Sequence, residues 1–151
     1  MFDLGLKNKV ILITGGSDGL GYASAELLSS EGAKVIICGR RGDYLTEKAK
    51  TISEKTNNEV LAIQADVSKA DDCKKLVEKT ISKFKKIDIL LNNAGASAAA
   101  LFEDVTDKNW EDDINLKLMS TVRMCRLVIP YMKSNNKGVI INATIGGGTA
   151  P

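Results

Sequence analysis

No histidine occurs among the 151 residues. That one absence removes Ser-His-Asp triads, Cys-His dyads and most zinc sites, because imidazole both titrates near neutrality and ligates metals. Cysteine is scarce. Cys38, Cys73 and Cys125 are widely separated and lack metal-ligand spacing, so they read as reduced thiols of a cytoplasmic protein, and no metal site is expected. No apolar run approaches the roughly 20 residues that span a bilayer, so no membrane partner is expected. The first residues set Asp3 and Lys7 around a short apolar patch and lack a signal-peptide core. Charge of one sign is missing too: 21 Lys and Arg against 19 Asp and Glu leave a net charge of +2. The densest basic cluster, Lys83, Lys85 and Lys86, closes a helical pattern, where lysine suits the negative end of the helix dipole. It reads as a solvated face, and no nucleic-acid partner is expected.

What is present organises itself around Lys9 to Gly21, KVILITGGSDGLG. Val10, Ile11, Leu12 and Ile13 are an unbroken apolar run, as expected of a strand buried on both faces of a parallel sheet. Gly15, Gly16, Gly19 and Gly21 follow as a turn where backbone can approach a ligand closely. A helical pattern begins at Gly19, so the turn sits at a helix N-terminus, whose free N–H groups and positive dipole end suit a phosphate.

Along the whole chain, apolar runs alternate with longer amphipathic segments. Strands are predicted at Val10–Thr14, Lys34–Cys38, Val60–Gln64, Ile87–Asn92 and Gly138–Asn142. Helices are predicted at Gly19–Ser30, Gly42–Thr56, Lys69–Phe84 and Asp107–Met132. Such alternation means βαβ units with right-handed crossovers: a doubly wound parallel α/β sheet of Rossmann type, strand order 3-2-1-4-5, in one domain over 1–151. Gly32 closes the first helix, Ser68 with Asp71 makes a capping-box-like start to the third, and Thr106 caps the fourth. The fourth helix carries an apolar stripe of Trp110, Ile114, Leu118 and Val122, with Pro130 near its end.

A glycine-rich turn alone is weak evidence for a dinucleotide site, but here it follows a strand and opens a helix, which is the required context. Its spacing, Thr14-Gly15-x-x-x-Gly19-x-Gly21, departs from G-x-G-x-x-G. It resembles the short-chain dehydrogenase/reductase family. Asp66-Val67, Asn92-Asn93-Ala94-Gly95, Asn115 in the long helix and the strand VIINAT match the same family in order, over essentially the whole chain. Singly, each match has a plainer reading. Asp66 caps a turn, Asn92 and Asn93 are turn residues, and Asn115 sits on a solvated face.

The resemblance implies an NAD(P)(H)-dependent oxidoreductase that moves hydride between nicotinamide and a small-molecule carbonyl or alcohol. It implies cofactor contacts from Gly15, Ser17, Asp18, Gly19, Leu20 and Gly21 on the pyrophosphate side. Asp66 and Val67 would serve the adenine, and Asn92, Ala94 and Gly95 the ribose and nicotinamide side. Asn115 is the family catalytic residue that carries over. After the second strand the chain has Cys38-Gly39-Arg40-Arg41. An acidic residue there would bind the ribose hydroxyls of NAD; Arg40 instead offers a guanidinium to a 2′-phosphate, so NADP is expected over NAD. Asp18 opposes this with a negative charge inside the glycine turn.

The resemblance also implies a serine, a tyrosine and a lysine, the last two in a Tyr-x-x-x-Lys helix after the fifth strand. Tyr22, Tyr44 and Tyr131 lie elsewhere and are not expected to be followed by lysine at that spacing. The serine slot falls on Ile145, leaving Thr144 as a weak substitute and Thr149 further on. The sequence therefore reads as the cofactor-binding part of such an oxidoreductase. A nucleotide-binding or assembly module without turnover is the alternative, and a purely structural α/β domain a weaker third. Val139, Ile140 and Ile141 are expected on an exposed edge strand that calls for a complementing C-terminal segment, a second chain or a homo-oligomer.

Overall fold

A computed structural model describes residues 4–97 and 100–144. Five parallel strands form one sheet in the order β3-β2-β1-β4-β5, with β1 at Val10–Thr14, β2 at Lys34–Gly39, β3 at Val60–Gln64, β4 at Ile89–Asn92 and β5 at Val139–Asn142. This is the expected doubly wound order, and each observed strand lies within two residues of its expected bounds. Registers are regular: Leu12 pairs with Ile36 on one side and Leu90 on the other.

The apolar run of β1 divides between the two faces because side chains alternate along a strand. Val10 and Leu12 face a core with Ile36, Leu76, Leu90, Met124 and Val128. Ile11 and Ile13 face another with Ala25, Val35, Ile37, Leu45 and Ile52. Helices α1 (Gly19–Ser30) and α2 (Gly42–Thr56) supply the second core, while α3 (Ala70–Phe84) and the helix after β4 supply the first. Both faces are thus closed over β1, which explains an uninterrupted hydrophobic strand. The described helices include none long and apolar enough to cross a membrane.

Three local expectations are corrected. The long helix is not uniform. It runs as α4 (Asp107–Ile114), a widened turn over Asn115–Met119, and α5 (Ser120–Ser134). In the widened turn the Ser120 N–H donates to the carbonyl of Asn115, five residues back, so one extra residue is inserted. The apolar stripe does not face the core: Trp110, Ile114 and Leu118 are 46%, 47% and 58% exposed, and the face that α5 buries is Ser120, Met124, Val128 and Met132. Second, Ser68 does not cap α3. Its N–H and hydroxyl both donate to Asp66 Oδ1, at 3.1 and 2.7 Å, closing an Asx turn, and Lys69 stands at the cap position. Third, Tyr44 does precede a lysine at four residues, Lys48, so a Tyr-x-x-x-Lys spacing exists in the sequence. It lies on α2, not after β5.

Thr106 does cap α4, in a reciprocal box with Asn109. Gly32 follows α1 at φ +80°, the left-handed conformation expected of a glycine closing a helix. The β5 edge is open as expected, with Val139 and Ile141 each 48% exposed.

Candidate functional site

The C-terminal ends of β1, β2, β3 and β4 open into a cleft of about 620 Å³. Its walls come from four loops. The glycine turn supplies Gly15, Ser17, Asp18, Gly19 and Leu20, and the β2 end supplies Cys38 to Arg41. The β3 end adds Ala65, Asp66 and Val67, and the β4 end adds Asn93, Ala94 and Gly95, with Leu116 from the widened turn. In an open doubly wound sheet this is where ligands bind, beside the first strand where the chain reverses direction across the sheet.

The glycine turn is held from both sides. Gly16 N–H donates to the Cys38 carbonyl at 3.0 Å, fastening the turn to β2. Thr14 Oγ1 accepts from the N–H groups of Asn93 and Ala94, both at 3.0 Å, and the Asn93 amide donates back to the carbonyls of Thr14 and Gly15. These bonds clamp the turn to β4. Close approach explains two of the glycines. A Cβ at Gly21 would lie 2.1 Å from the Gly15 carbonyl oxygen, and one at Gly15 would lie 2.9 Å from Ala94 Cα with φ already at +68°. Gly19, at φ +52°, has nothing within 4 Å of such a Cβ and leaves the cleft open there.

That opening lies at the start of α1. The first helical hydrogen bond runs from Tyr22 N–H to the Asp18 carbonyl, so the N–H groups of Gly19, Leu20 and Gly21 precede the helical ladder. Asp18 stands at the N-cap, yet its carboxylate makes no cap bond. It accepts instead from Arg41 Nη2 and from the Tyr44 hydroxyl, each at 2.5 Å. The helix end therefore presents uncapped N–H groups, as a phosphate site needs.

At the opposite wall, Asp66 accepts both Ser68 bonds, and its own N–H donates to Asp72 Oδ2 at 2.9 Å. Partial burial works to raise its pKa, but the Ser68 bonds and the charges of Lys69 and Arg40 prevail and hold it below the usual carboxylate value. Asp66 is therefore an ionised acceptor within the field of Arg40. Cys38 also lines the cleft, but burial pushes its thiol up to about 12, so it offers no thiolate at neutral pH. Among the described residues no three cysteine or acidic side chains converge as a metal site requires.

The expected site residues do not all meet here. Gly15, Ser17, Asp18, Gly19, Leu20, Arg40, Asp66, Val67, Ala94 and Gly95 line the cleft. Gly21 does not; it keeps the turn and α1 in contact. The Asn92 amide turns away along the sheet and donates to Asn142 Oδ1 at 2.9 Å. Asn115 lies in the widened turn, where its Oδ1 accepts from Arg123 Nη1 at 2.6 Å, and the same nitrogen donates to the Ser68 carbonyl at 3.1 Å. Its neighbour Leu116 is the residue that reaches the cleft. Thr144 is exposed just beyond β5, and Ile145 and Thr149 lie outside the described residues. Tyr44, despite its spacing to Lys48, stands beside the β2 loop, with Lys48 Nζ 4.9 Å from its ring centre. Sequence reading did not anticipate Arg41, Tyr44, Asn93 or Arg123. The second arginine of Arg40-Arg41 and the second asparagine of Asn92-Asn93 were the available signals.

Comparison with known proteins agrees with this geometry. The family profile described as short chain dehydrogenase matches residues 9–151. The chain is 38% identical over 150 residues to the uncharacterized oxidoreductase YvrD of Bacillus subtilis (strain 168), covering 99% of this chain and 56% of that protein. It is 36% identical to the 3-oxoacyl-[acyl-carrier-protein] reductase FabG of Chlamydia trachomatis, covering 91% of this chain and 55% of that one. The crystal structure of L-sorbose reductase from Gluconobacter frateurii, complexed with NADPH and L-sorbose, superposes with a TM-score of 0.90 at 35% identity, covering 93% of this chain and 54% of that one. A 7α-hydroxysteroid dehydrogenase complexed with NADH and 7-oxo glycochenodeoxycholic acid gives a TM-score of 0.91 at 27% identity, covering 97% and 56%. The chain spans about half the length of the curated relatives it matches, 56% and 55% of the two named.

Proposed function

The chain belongs to the short chain dehydrogenase family, and from that premise we propose that its cleft binds a nicotinamide dinucleotide, with NADP(H) preferred over NAD(H). The observation that carries the reading is the uncapped start of α1 beneath an open Gly19, in a cleft that Arg40 also lines. Residues 1–151 act as one dinucleotide-binding domain. The free N–H groups at the start of α1 hold the pyrophosphate, and their dipole end offsets its charge. Arg40 pairs with a 2′-phosphate. Ionised Asp66 accepts from the adenine side, and the backbone of Ala94 and Gly95 borders the ribose nearest β4.

When bound, the cofactor supplies hydride chemistry toward a carbonyl or alcohol carbon, the reaction in which we place the protein. The L-sorbose reductase and hydroxysteroid dehydrogenase structures contain nicotinamide cofactors with small-molecule substrates, which supports this class. Asn115, tied to Arg123, holds the widened turn that presents Leu116 to the cleft. A complementing C-terminal segment, or a second copy, covers the β5 edge.

A binding module without turnover is the second reading. It is favoured by one observation: among the described lining residues the sole hydroxyl side chain is Ser17, at the β1–β2 end and away from β4. Titration with NADPH and NADH by cofactor fluorescence tests the main reading, and tighter NADPH binding is expected. Equal affinities, or tighter NADH binding, contradict the Arg40 assignment. Dehydrogenase turnover by this chain excludes the second reading.

A further inference from the structure

We propose that the chain carries a second ligand site, apart from the dinucleotide cleft, that takes a small quaternary ammonium compound. The inference does not depend on the dinucleotide reading. The site is a cavity of about 440 Å³ where the helical turn Phe102–Asp104 meets α4, and it shares no lining residue with the cleft. That volume suits a small-molecule ligand. Two of its walls are aromatic. The Phe102 and Trp110 rings meet edge to face, with centres 6.3 Å apart and planes at 62°. Neither ring joins the two packed cores, and they stay 79% and 46% exposed. The reciprocal Thr106–Asn109 box fixes where the turn hands over to α4, so both rings are carried on one braced unit.

The polar groups of the cavity decide the class of ligand. Asp104 and Asp113 both line it, and the Asp104 side chain has no hydrogen-bond or ion-pair partner among the described residues. From residue 103 to residue 113 the chain carries six acidic residues against Lys108, which is itself bonded to Asp112. An anionic ligand is therefore repelled. A cation is drawn by the carboxylates and by the ring faces, tryptophan above all. Cations differ in what else they need. A guanidinium or a primary ammonium brings N–H groups that each seek an acceptor. Two acceptors that line the cavity are already committed: Asn109 Oδ1 to the Thr106 N–H and hydroxyl, and Asp113 Oδ1 to Lys117 at 2.7 Å. A quaternary ammonium has no N–H to satisfy. Its methyl groups spread the charge over aromatic surface, and its alkyl part suits Val105.

Trp110 is the single tryptophan of the chain, so its fluorescence reports on this cavity directly. Choline chloride is the probe, at constant ionic strength. The comparisons are dimethylbutanol, the neutral isostere in which carbon replaces the charged nitrogen, and capped arginine, which stands for a polypeptide guanidinium. Choline is expected to change the fluorescence saturably, with half-saturation at about 1 mM or below, and each comparison should need at least about fivefold more. Asp104→Asn, at an exposed position, keeps the reporter and should weaken choline binding about threefold. Trp110→Leu, followed by NMR of the choline methyl resonance, should weaken it at least about fivefold. Four results each overturn the proposal: no saturable change up to about 50 mM choline, equal binding of the neutral alcohol, tighter binding of capped arginine, or unchanged affinity in both variants. Saturable NADPH binding alongside any of these leaves the dinucleotide reading in place.

Discussion

On the β2–β3 side of β1, helices cover both faces of the sheet, and Val35, Ile36 and Ile37 of β2 are fully buried. On the β4–β5 side the cover thins, until Val139 and Ile141 stand half exposed on β5, and Trp110, Ile114 and Leu118 stand out on α4 and the widened turn. The cleft follows the same gradient. Its β1–β2–β3 end is built from charged, hydrogen-bonded groups already in place: Asp18 on Arg41 and Tyr44, and Asp66 on Ser68. Its β4 end offers backbone, Leu116 and small side chains. The difference teaches that order at the cleft follows cover of the sheet: preformed charged groups stand where both faces are packed, and apolar surface stays open where they are not.

The largest expected effect breaks the comparison at its centre. Leu12→Ala, on the fully buried middle strand, should cost about 2–5 kcal/mol of stability by denaturant unfolding. A cost below about 1 kcal/mol would show that β1 is less tightly packed than its burial implies.

Next in size is Gly21→Ala, whose added carbon meets the Gly15 carbonyl oxygen at 2.1 Å. It should destabilise by about 1–3 kcal/mol and weaken dinucleotide binding, since the turn must move. Gly95→Ala, with open space at its Cβ position, should change stability by less than about 0.5 kcal/mol. Unfolding curves for the two variants compare a packed glycine behind the cleft with an open one that lines it.

How much of this was legible beforehand follows the same division. The run of Val10 to Ile13 and the glycine turn state their structure locally, through period and backbone freedom, so strand order and the turn at the cleft could be read from sequence. The widened turn at Asn115 could not. Every residue there is an acceptable helix former, so nothing local announces the extra residue. The Asp18–Arg41–Tyr44 group joins residues 23 and 26 positions apart across a strand, and no spacing rule encodes that contact. Asp18 alone looked like a charge misplaced near phosphates. Paired with Arg41 it becomes part of the rim. Ser68 shows the reverse error: a residue with good capping chemistry found a nearer acceptor in Asp66.

A smaller effect is expected with acid. Partial burial tends to raise the pKa of Asp88, which joins β1 to β4, but the Lys86 bond and the Val10 N–H outweigh it and hold the group below 3.8. Asp66 on the cradle side is also held below 3.8. The unfolded chain takes up these protons first as pH falls. The stability they contribute is therefore present above pH 3.8 and is lost as pH falls through the lower folded values. Asp88→Asn should lower stability at pH 7 and lose that deficit in thermal unfolding as pH falls below 3.8 and through the lower folded value. A deficit unchanged by pH would remove Asp88 from the account.

The smallest expected effect is on the open edge. Ile141→Lys should change stability by less than about 0.5 kcal/mol while reducing self-association in size-exclusion chromatography, because a lysine on an edge strand opposes pairing. A larger loss would show that the edge is better covered than its exposure indicates.

The claim that the β1–β2–β3 end of the cleft holds the phosphorylated half of a dinucleotide is tested most directly by displacement. NADPH bound to the chain and followed by its fluorescence would be challenged with adenosine 2′,5′-bisphosphate and with 5′-AMP. The account predicts saturable NADPH binding, displaced by the 2′-phosphorylated fragment at concentrations at least about tenfold lower than by 5′-AMP. Equal displacement by the two fragments, or no saturable binding, would contradict it.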